Sequence, residues 1–249
     1  MASYTHGRFV WRELMTENPD AAKRYYGELF GWSVKDVPMG DMTYHLLHAG
    51  EKQVGGLVKK PPMMPVSAWA SYVSVPDVDA TCAVIASAGG KVVHGPSDIP
   101  NMGRFAFALD PQGAAFALWK GEKGDQPVAR PGLGEFCWES LGTTDEPAAL
   151  AFYTKVLGWK QGKMGEQNIF GTAEGMENQV ASVMAAPPGV PAHWLTYVAV
   201  EKLAAARDRA SKLGGKILMP EIEVPTIGKF AVTQDPQGAT ICMFESAMG

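Results

Sequence analysis

Trp11 and Glu13 stand two residues apart in the stretch FVWREL. Residues 9–14 read as a β-strand, so both side chains share one face. An indole offers a large rigid surface and one N–H donor. A carboxylate on the same face, if walled by apolar groups, has a raised pKa and can act as a general base. In water it is only a strand-end charge. Glu13 is the candidate catalytic residue on this reading. Tyr72 and Tyr197 lie in the matching stretches SYVSV and TYVAV. A Tyr hydroxyl at the end of an apolar wall can orient a ligand, although Tyr is also a common strand residue.

Other polar groups carry less chemistry. The chain has five His, of which His45 and His48 fall on opposite faces of one strand and cannot act as a pair. Each His reads as solvated or in a loop. Arg104 and Lys229 match as a basic pair, placed either to grip an anion or to guard a sheet edge; the edge is preferred. Cys82, Cys137 and Cys242 are far apart, with no CxxC spacing. They read as small buried hydrophobes rather than a disulfide framework or a zinc site.

The scaffold that positions these residues is a repeat. Trp11, Tyr26 and Gly31-Trp32 recur as Trp138, Tyr153 and Gly158-Trp159 at one constant spacing. Trp69, Tyr72, Gly89-Gly90-Lys91 and Asp110-Pro111-Gln112-Gly113-Ala114 recur as Trp194, Tyr197, Gly214-Gly215-Lys216 and Asp235-Pro236-Gln237-Gly238-Ala239, at a spacing two residues shorter. Ordered matches of this kind mark a tandem duplication. Residues 1–121 and 134–249 form the two expected domains, joined by a Gly-, Pro- and charge-rich linker at 122–133. Within this alignment Glu13 falls on Ser140, while Glu139 has the opposite strand parity. Tyr44 falls on Phe170.

Each half repeats once more internally. Asn18-Pro19 starts a helix, with Asn as N-cap and Pro in its first turn. Ala22, Tyr25, Tyr26 and Leu29 give it one apolar face, and Gly31 ends it. The second copy starts its helix at Glu146-Pro147. Strand-like stretches follow near 32–37, 42–48 and 53–58. The pattern then restarts, with a strand at 69–75, a helix at 77–88 closed by Gly89-Gly90, and strands at 92–93, 104–109 and 114–120. The last two meet at a type I turn, Asp110 to Gly113. The fold class is therefore α+β, with four βαβββ units. The proline runs at 61–65 and 187–191 read as stiff connectors.

The 249 residues are 46% hydrophobic and 19% charged, with a net charge of −4. These values fit a globular protein with a sizeable core. They lack the basic footprint of a nucleic-acid binder. No apolar run reaches the roughly 18 residues of a membrane span, and no secretory signal pattern opens the chain. A cytoplasmic location is expected.

The aromatic helix pair, LFGW and VLGW, GG(K), and MGRFAFALDPQGAAFALW together resemble the vicinal oxygen chelate superfamily. That group includes glyoxalase I, extradiol dioxygenases and bleomycin-resistance proteins. The resemblance covers residues 8–120 and 135–245, and it implies curled mixed sheets forming cups. In such proteins a divalent metal held by four strands binds two neighbouring substrate oxygens and stabilises their developing charge. Those ligand positions fall here on Trp11, Ala70, Ala117 and Gly55, and on Trp138, Leu195, Cys242 and Ala181. These are not His, Glu or Gln, so neither a metal nor another cofactor is expected.

The resemblance further implies that Trp11, Tyr72, Trp138, Tyr197 and Cys242 line ligand-binding cups. If the halves pair as dimeric relatives do, one cup holds Trp11, Glu13, Tyr197 and Cys242. If each half closes on itself, Trp11 and Glu13 join Tyr72 and Ala117. The leading functional expectation is binding of a small-molecule ligand in a metal-free aromatic cup. The alternatives are a lyase, isomerase or dioxygenase of the glyoxalase type, and a regulatory or interaction protein without chemistry. The expected partner is a small molecule, with no nucleic acid and no membrane. The chain is expected to be a pseudo-dimeric monomer, with a homodimer as the further option.

Overall fold

The computed structural model describes residues 3–40 and 42–248. The outermost ends of the two expected domains, residues 1 and 249, lie outside the described residues. The first half runs β1 (Phe9–Thr16), α1 (Pro19–Phe30), β2 (Ser33–Met39), β3 (Met42–Ala49), β4 (Lys52–Lys59), β5 (Ala68–Ser74), α2 (Val78–Ser87), β6 (Lys91–Ile99), β7 (Gly103–Leu109) and β8 (Ala115–Gly121). The second half repeats it: β9 (Phe136–Thr143), α3 (Glu146–Leu157), β10 (Lys160–Met164), β11 (Gln167–Gly171), β12 (Gln179–Ala185), β13 (His193–Ala199), α4 (Leu203–Lys212), β14 (Lys216–Val224), β15 (Gly228–Gln234) and β16 (Thr240–Ser246). Each half carries the βαβββ pattern twice, as its repeats require.

The strands form two mixed sheets of eight, ordered β2-β3-β4-β1-β5-β8-β7-β6 and β10-β11-β12-β9-β13-β16-β15-β14. The orders are identical after the shift from one half to the other. In both, the first strand of a βαβββ module runs parallel to its fourth, as Glu13↔Gly56 and Ser140↔Ser182 show. Tyr72↔Ala117 and Tyr197↔Cys242 are likewise equivalent pairs. Each sheet is made from one half. Tyr197 and Cys242 therefore lie on the second sheet, whereas Trp11 and Glu13 lie on the first.

Local chemistry explains the helices. The Asn18 side chain accepts from Ala21 N–H at 3.1 Å, with Pro19 in the first turn. In the second half the N-cap is Asp145, one residue before the expected start; it accepts from Ala148 N–H at 3.0 Å. Gly31 and Gly158 close these helices at φ 74° and 69°, a left-handed conformation suited to glycine.

The chain condenses into two compact units. One comprises the chain up to Val10, Ala70–Ala129 and Glu139–Trp194; the other comprises Trp11–Trp69, Arg130–Trp138 and the chain from Leu195 onward. Each unit contains one module from each half. In the first unit Val73, Ile85, Phe116 and Leu118 share a core with Phe152, Tyr153, Trp159 and Phe170. In the second, Leu14, Tyr26, Leu29 and Trp32 share one with Val198, Leu203, Ile241 and Met243. Within each unit the glycine-following tryptophan ties in a separate segment of the chain. Trp32 donates its indole N–H to Gly134 O, and Trp159 does the same to Gly7 O, both at 2.7 Å. The linker contributes too, because Asp125 accepts from Thr5 N at 2.7 Å and from Ser74 Oγ at 2.6 Å.

Candidate functional site

Strands β1, β4 and β3 bring three polar-tipped side chains together. Trp11 donates its indole N–H to the Tyr44 hydroxyl at 2.9 Å. The Tyr44 hydroxyl in turn faces the Glu13 carboxylate, which accepts its hydrogen bond. The register explains the meeting. Glu13 pairs with Gly56 and Gly56 with Leu46, so Tyr44, two residues from Leu46, lies on the face shared with Glu13. Gly56 is essential to it, since a Cβ there would collide with the Tyr44 hydroxyl. Burial, and then the Glu13 charge, push the Tyr44 pKa far above the ordinary phenol range. Tyr44 therefore stays a neutral donor toward Glu13. All three residues are half-buried, so water or a ligand can reach them.

The second half does not rebuild this arrangement. Ile169 pairs with Ser182 and Ser182 with Ser140, which makes Gln167 the counterpart of Tyr44. Phe170, expected there from the sequence alignment, is instead fully buried. Trp138 packs with Tyr197, Cys242, Leu195 and Phe230 in an apolar cluster, and the Tyr197 ring meets Phe230 at 5.1 Å. Tyr72 is buried against Phe107, with ring centroids 5.5 Å apart. Glu139 is fully buried and accepts from Ser71 Oγ at 3.0 Å.

The repeated motifs turn out to be packing devices. Trp69 donates to the Tyr26 hydroxyl at 3.0 Å, and Tyr26 donates to Asp235 Oδ2 at 3.0 Å. The other unit repeats the chain, with Trp194 to Tyr153 at 2.9 Å and Tyr153 to Asp110 at 3.1 Å. Each Asp uses its other oxygen to cap its own turn, accepting from Gln112 and Ala114 N–H, or from Gln237 and Ala239 N–H. Burial raises both Asp pKa values, and the hydrogen bonds oppose it.

The sequence profile of the Glyoxalase/Bleomycin resistance protein/Dioxygenase superfamily matches residues 8–118 and again 138–243. The chain belongs to this superfamily. CFP32 of Mycobacterium tuberculosis, whose name assigns it provisionally to the glyoxylases, is 33% identical, with 99% of this chain and 97% of that protein covered. The anthracycline biosynthesis protein DnrV of Streptomyces peucetius is 28% identical, with 100% and 97% covered. The Mn(II)-bound glyoxalase of Novosphingobium aromaticivorans has a TM-score of 0.65 at 17% identity, with 96% of this chain and 82% of that chain covered. At that identity the likeness is one of fold.

A glyoxalase-superfamily fold raises the question of a divalent metal. The positions that the resemblance assigns to its ligands hold Trp11, Gly55, Ala70 and Ala117 in the first half, and Trp138, Ala181, Leu195 and Cys242 in the second. A divalent ion needs imidazole, carboxylate, amide oxygen or thiolate donors, and Cys242 alone supplies one. Among the described residues, no group of three or more His, Cys, Asp or Glu could hold an ion. The donor set does not fit the metal.

Several other expectations change. His45 is buried rather than solvated, and pairs with Asp36 at 2.7 Å. That contact holds the Asp36 carboxyl below its ordinary range. Arg104 lies on β7, one strand in from the sheet edge, and clasps Asp79 through two N–H groups, at 2.6 and 2.9 Å, and Asp98 at 2.8 Å. Cys82 and Cys242 are buried, while Cys137 is half-buried with Sγ 3.5 Å from Tyr197 O. No helix among the described residues is long and apolar enough to cross a membrane. Tyr44 was not singled out from the sequence; the available signal was Gly55-Gly56 inside a strand, which marks close approach of another group.

Proposed function

We propose that the chain binds a small organic molecule at the Trp11–Tyr44–Glu13 constellation, without a coordinated metal. The observation that carries this reading is the hydrogen-bonded chain itself. Aromatic surface and an oriented carboxylate meet on a half-exposed strand face, which is the usual composition of a ligand site. The second half offers no equivalent carboxylate, since Ser140 stands in its place. The name of DnrV, which places that protein in anthracycline biosynthesis, supports a small-molecule ligand. The cytoplasmic location and the pseudo-dimeric single chain remain part of this proposal.

Native mass spectrometry of the purified full chain tests it. The expected result is an organic adduct that is lost in Trp11→Ala. A stoichiometric divalent ion in place of an organic adduct would contradict it. The name of CFP32 supports a second reading, in which Glu13 serves as the base of a lyase-type reaction. Turnover of a dicarbonyl–thiol adduct that disappears in Glu13→Gln would favour that reading.

A further inference from the structure

We propose that the β6–β7–β8 face of the first half holds a second ligand site, in which a flat aromatic molecule lies on Trp119 and accepts a hydrogen bond from its indole N–H. The ligand class is a fused aromatic ring bearing a carbonyl or another acceptor oxygen. This goes beyond the Trp11–Tyr44–Glu13 reading and uses none of its residues.

The indole N–H carries the argument. Trp11, Trp32, Trp69, Trp159 and Trp194 each donate to a protein oxygen at 2.7 to 3.0 Å. Trp119 is half-buried, and among the described residues its N–H has no acceptor. An indole offers a wide rigid surface with one donor at its edge. Here the donor is left for something other than the protein.

The setting flattens the ring. Gly103 pairs with Gly121 and Phe105 with Trp119, so all four share one face of the sheet. A Cβ on Gly103 would meet the six-membered ring of Trp119 at 2.9 Å, and one on Gly121 would meet its Nε1 at 3.1 Å. The indole thus lies across the two strands, with one face on glycine backbone and the other open. Phe105 turns the other way and stacks on the exposed His94, with centroids 5.3 Å and planes 25° apart. Trp119 and His94 flank β7, roughly 10 Å apart at ordinary strand spacing. That spacing suits fused rings rather than a single one.

The second half keeps the packing and drops the donor. Phe244 takes the place of Trp119, and Met219 that of His94. Phe230, the counterpart of Phe105, is buried against Tyr197.

Three probes titrated into the full chain test the proposal, followed by proton–nitrogen correlation spectra in which Trp119→Phe identifies the Trp119 indole signal. 2-Acetylnaphthalene is flat with an acceptor, 2-ethylnaphthalene is flat without one, and cyclohexyl methyl ketone is an acceptor without the rings. Trp119→Phe and His94→Met introduce the residues of the second half, so both should fold. 2-Acetylnaphthalene should bind tightest and move the Trp119 indole signal downfield. Trp119→Phe should weaken it by about two- to tenfold, the range for one hydrogen bond, to the level of 2-ethylnaphthalene. His94→Met should keep the preference for the ketone of the naphthalene pair. Equal binding of the two naphthalenes to wild type would overturn the proposal. So would binding that leaves the Trp119 signal unmoved, or no binding by either naphthalene.

Discussion

The Tyr26 hydroxyl, on the first helix of the first half, donates to Asp235, in the last turn of the second, at 3.0 Å. Tyr153 and Asp110 repeat the bond with the halves exchanged, at 3.1 Å. The two bonds tie a module of each half to a module of the other within each compact unit. Asp235 is 3% exposed and Tyr26 fully buried, so neither can turn to water if its partner is removed. Tyr26→Phe should cost about 1–3 kcal/mol in urea unfolding, the penalty for a buried acceptor left unsatisfied.

That cost should depend on pH, with a sign set by Asp235. Burial raises its folded pKa, and Tyr26 is one of the groups that lower it. A raised carboxyl pKa means that the folded state binds the proton more tightly than the unfolded state. Stability from this group then falls as pH rises from the ordinary carboxylate value through the folded one. Removing the Tyr26 donor enlarges the effect. Tyr26→Phe should thus be more destabilising at pH 7 than near pH 4, by the same denaturant measurement. Equal costs at both would refute the pairing as the source.

Glu245 has the opposite sign. Its Oε2 accepts from Leu203 N–H at 2.7 Å and so caps helix α4, whose own N-cap, Lys202, offers no side-chain bond. That bond, more than Lys229 and Lys202 nearby, lowers the Glu245 pKa. The stabilisation is present above the ordinary carboxylate range and is lost as pH falls through the depressed folded value. Glu245→Ala should cost about 1 kcal/mol at pH 7, as for other lost caps. The difference from wild type should close on acidification, measured by thermal melts from pH 7 down to pH 3.

Gly56 should be the most sensitive single position for the candidate site. Ser182, its counterpart in the other sheet, shows that this place in the strand tolerates a side chain. Gly56→Ser should therefore fold while displacing Tyr44 from Trp11 and Glu13. The organic adduct seen by native mass spectrometry should be lost, as in Trp11→Ala, with a cooperative melt retained. An undiminished adduct in a folded Gly56→Ser would remove Tyr44 from the site.

The duplication, the helix caps and the turns were legible because each is a local device with a fixed residue signature. Asn18-Pro19, Gly31 and the Asp110 turn sit as their sequences require. What spacing could not show was partnership at long range. Nothing in the string joins Asp235 to Tyr26, and the aromatic pair reads only as an apolar helix face. Tyr44 was missed for a related reason. Aligned by sequence it falls on Phe170, but the strand register sets it opposite Gln167. The β10–β11 hairpin is shorter than its β2–β3 counterpart, with strands of 5 and 5 residues against 7 and 8, and a count that is out by an odd number of residues exchanges the faces of a strand. Glu13 and Trp11 were legible as face-sharing neighbours, and the side chain that links them was not.

The most direct test of the central claim is native mass spectrometry of the purified full chain, before and after removal of any bound metal by a chelator and re-addition of Mn²⁺, Zn²⁺ or Ni²⁺. The ligand positions hold Trp11, Gly55, Ala70 and Ala117, and the carboxylate is engaged by Tyr44. The predicted result is the same organic adduct with and without each ion. Binding that appears only when a divalent ion is supplied would contradict the account.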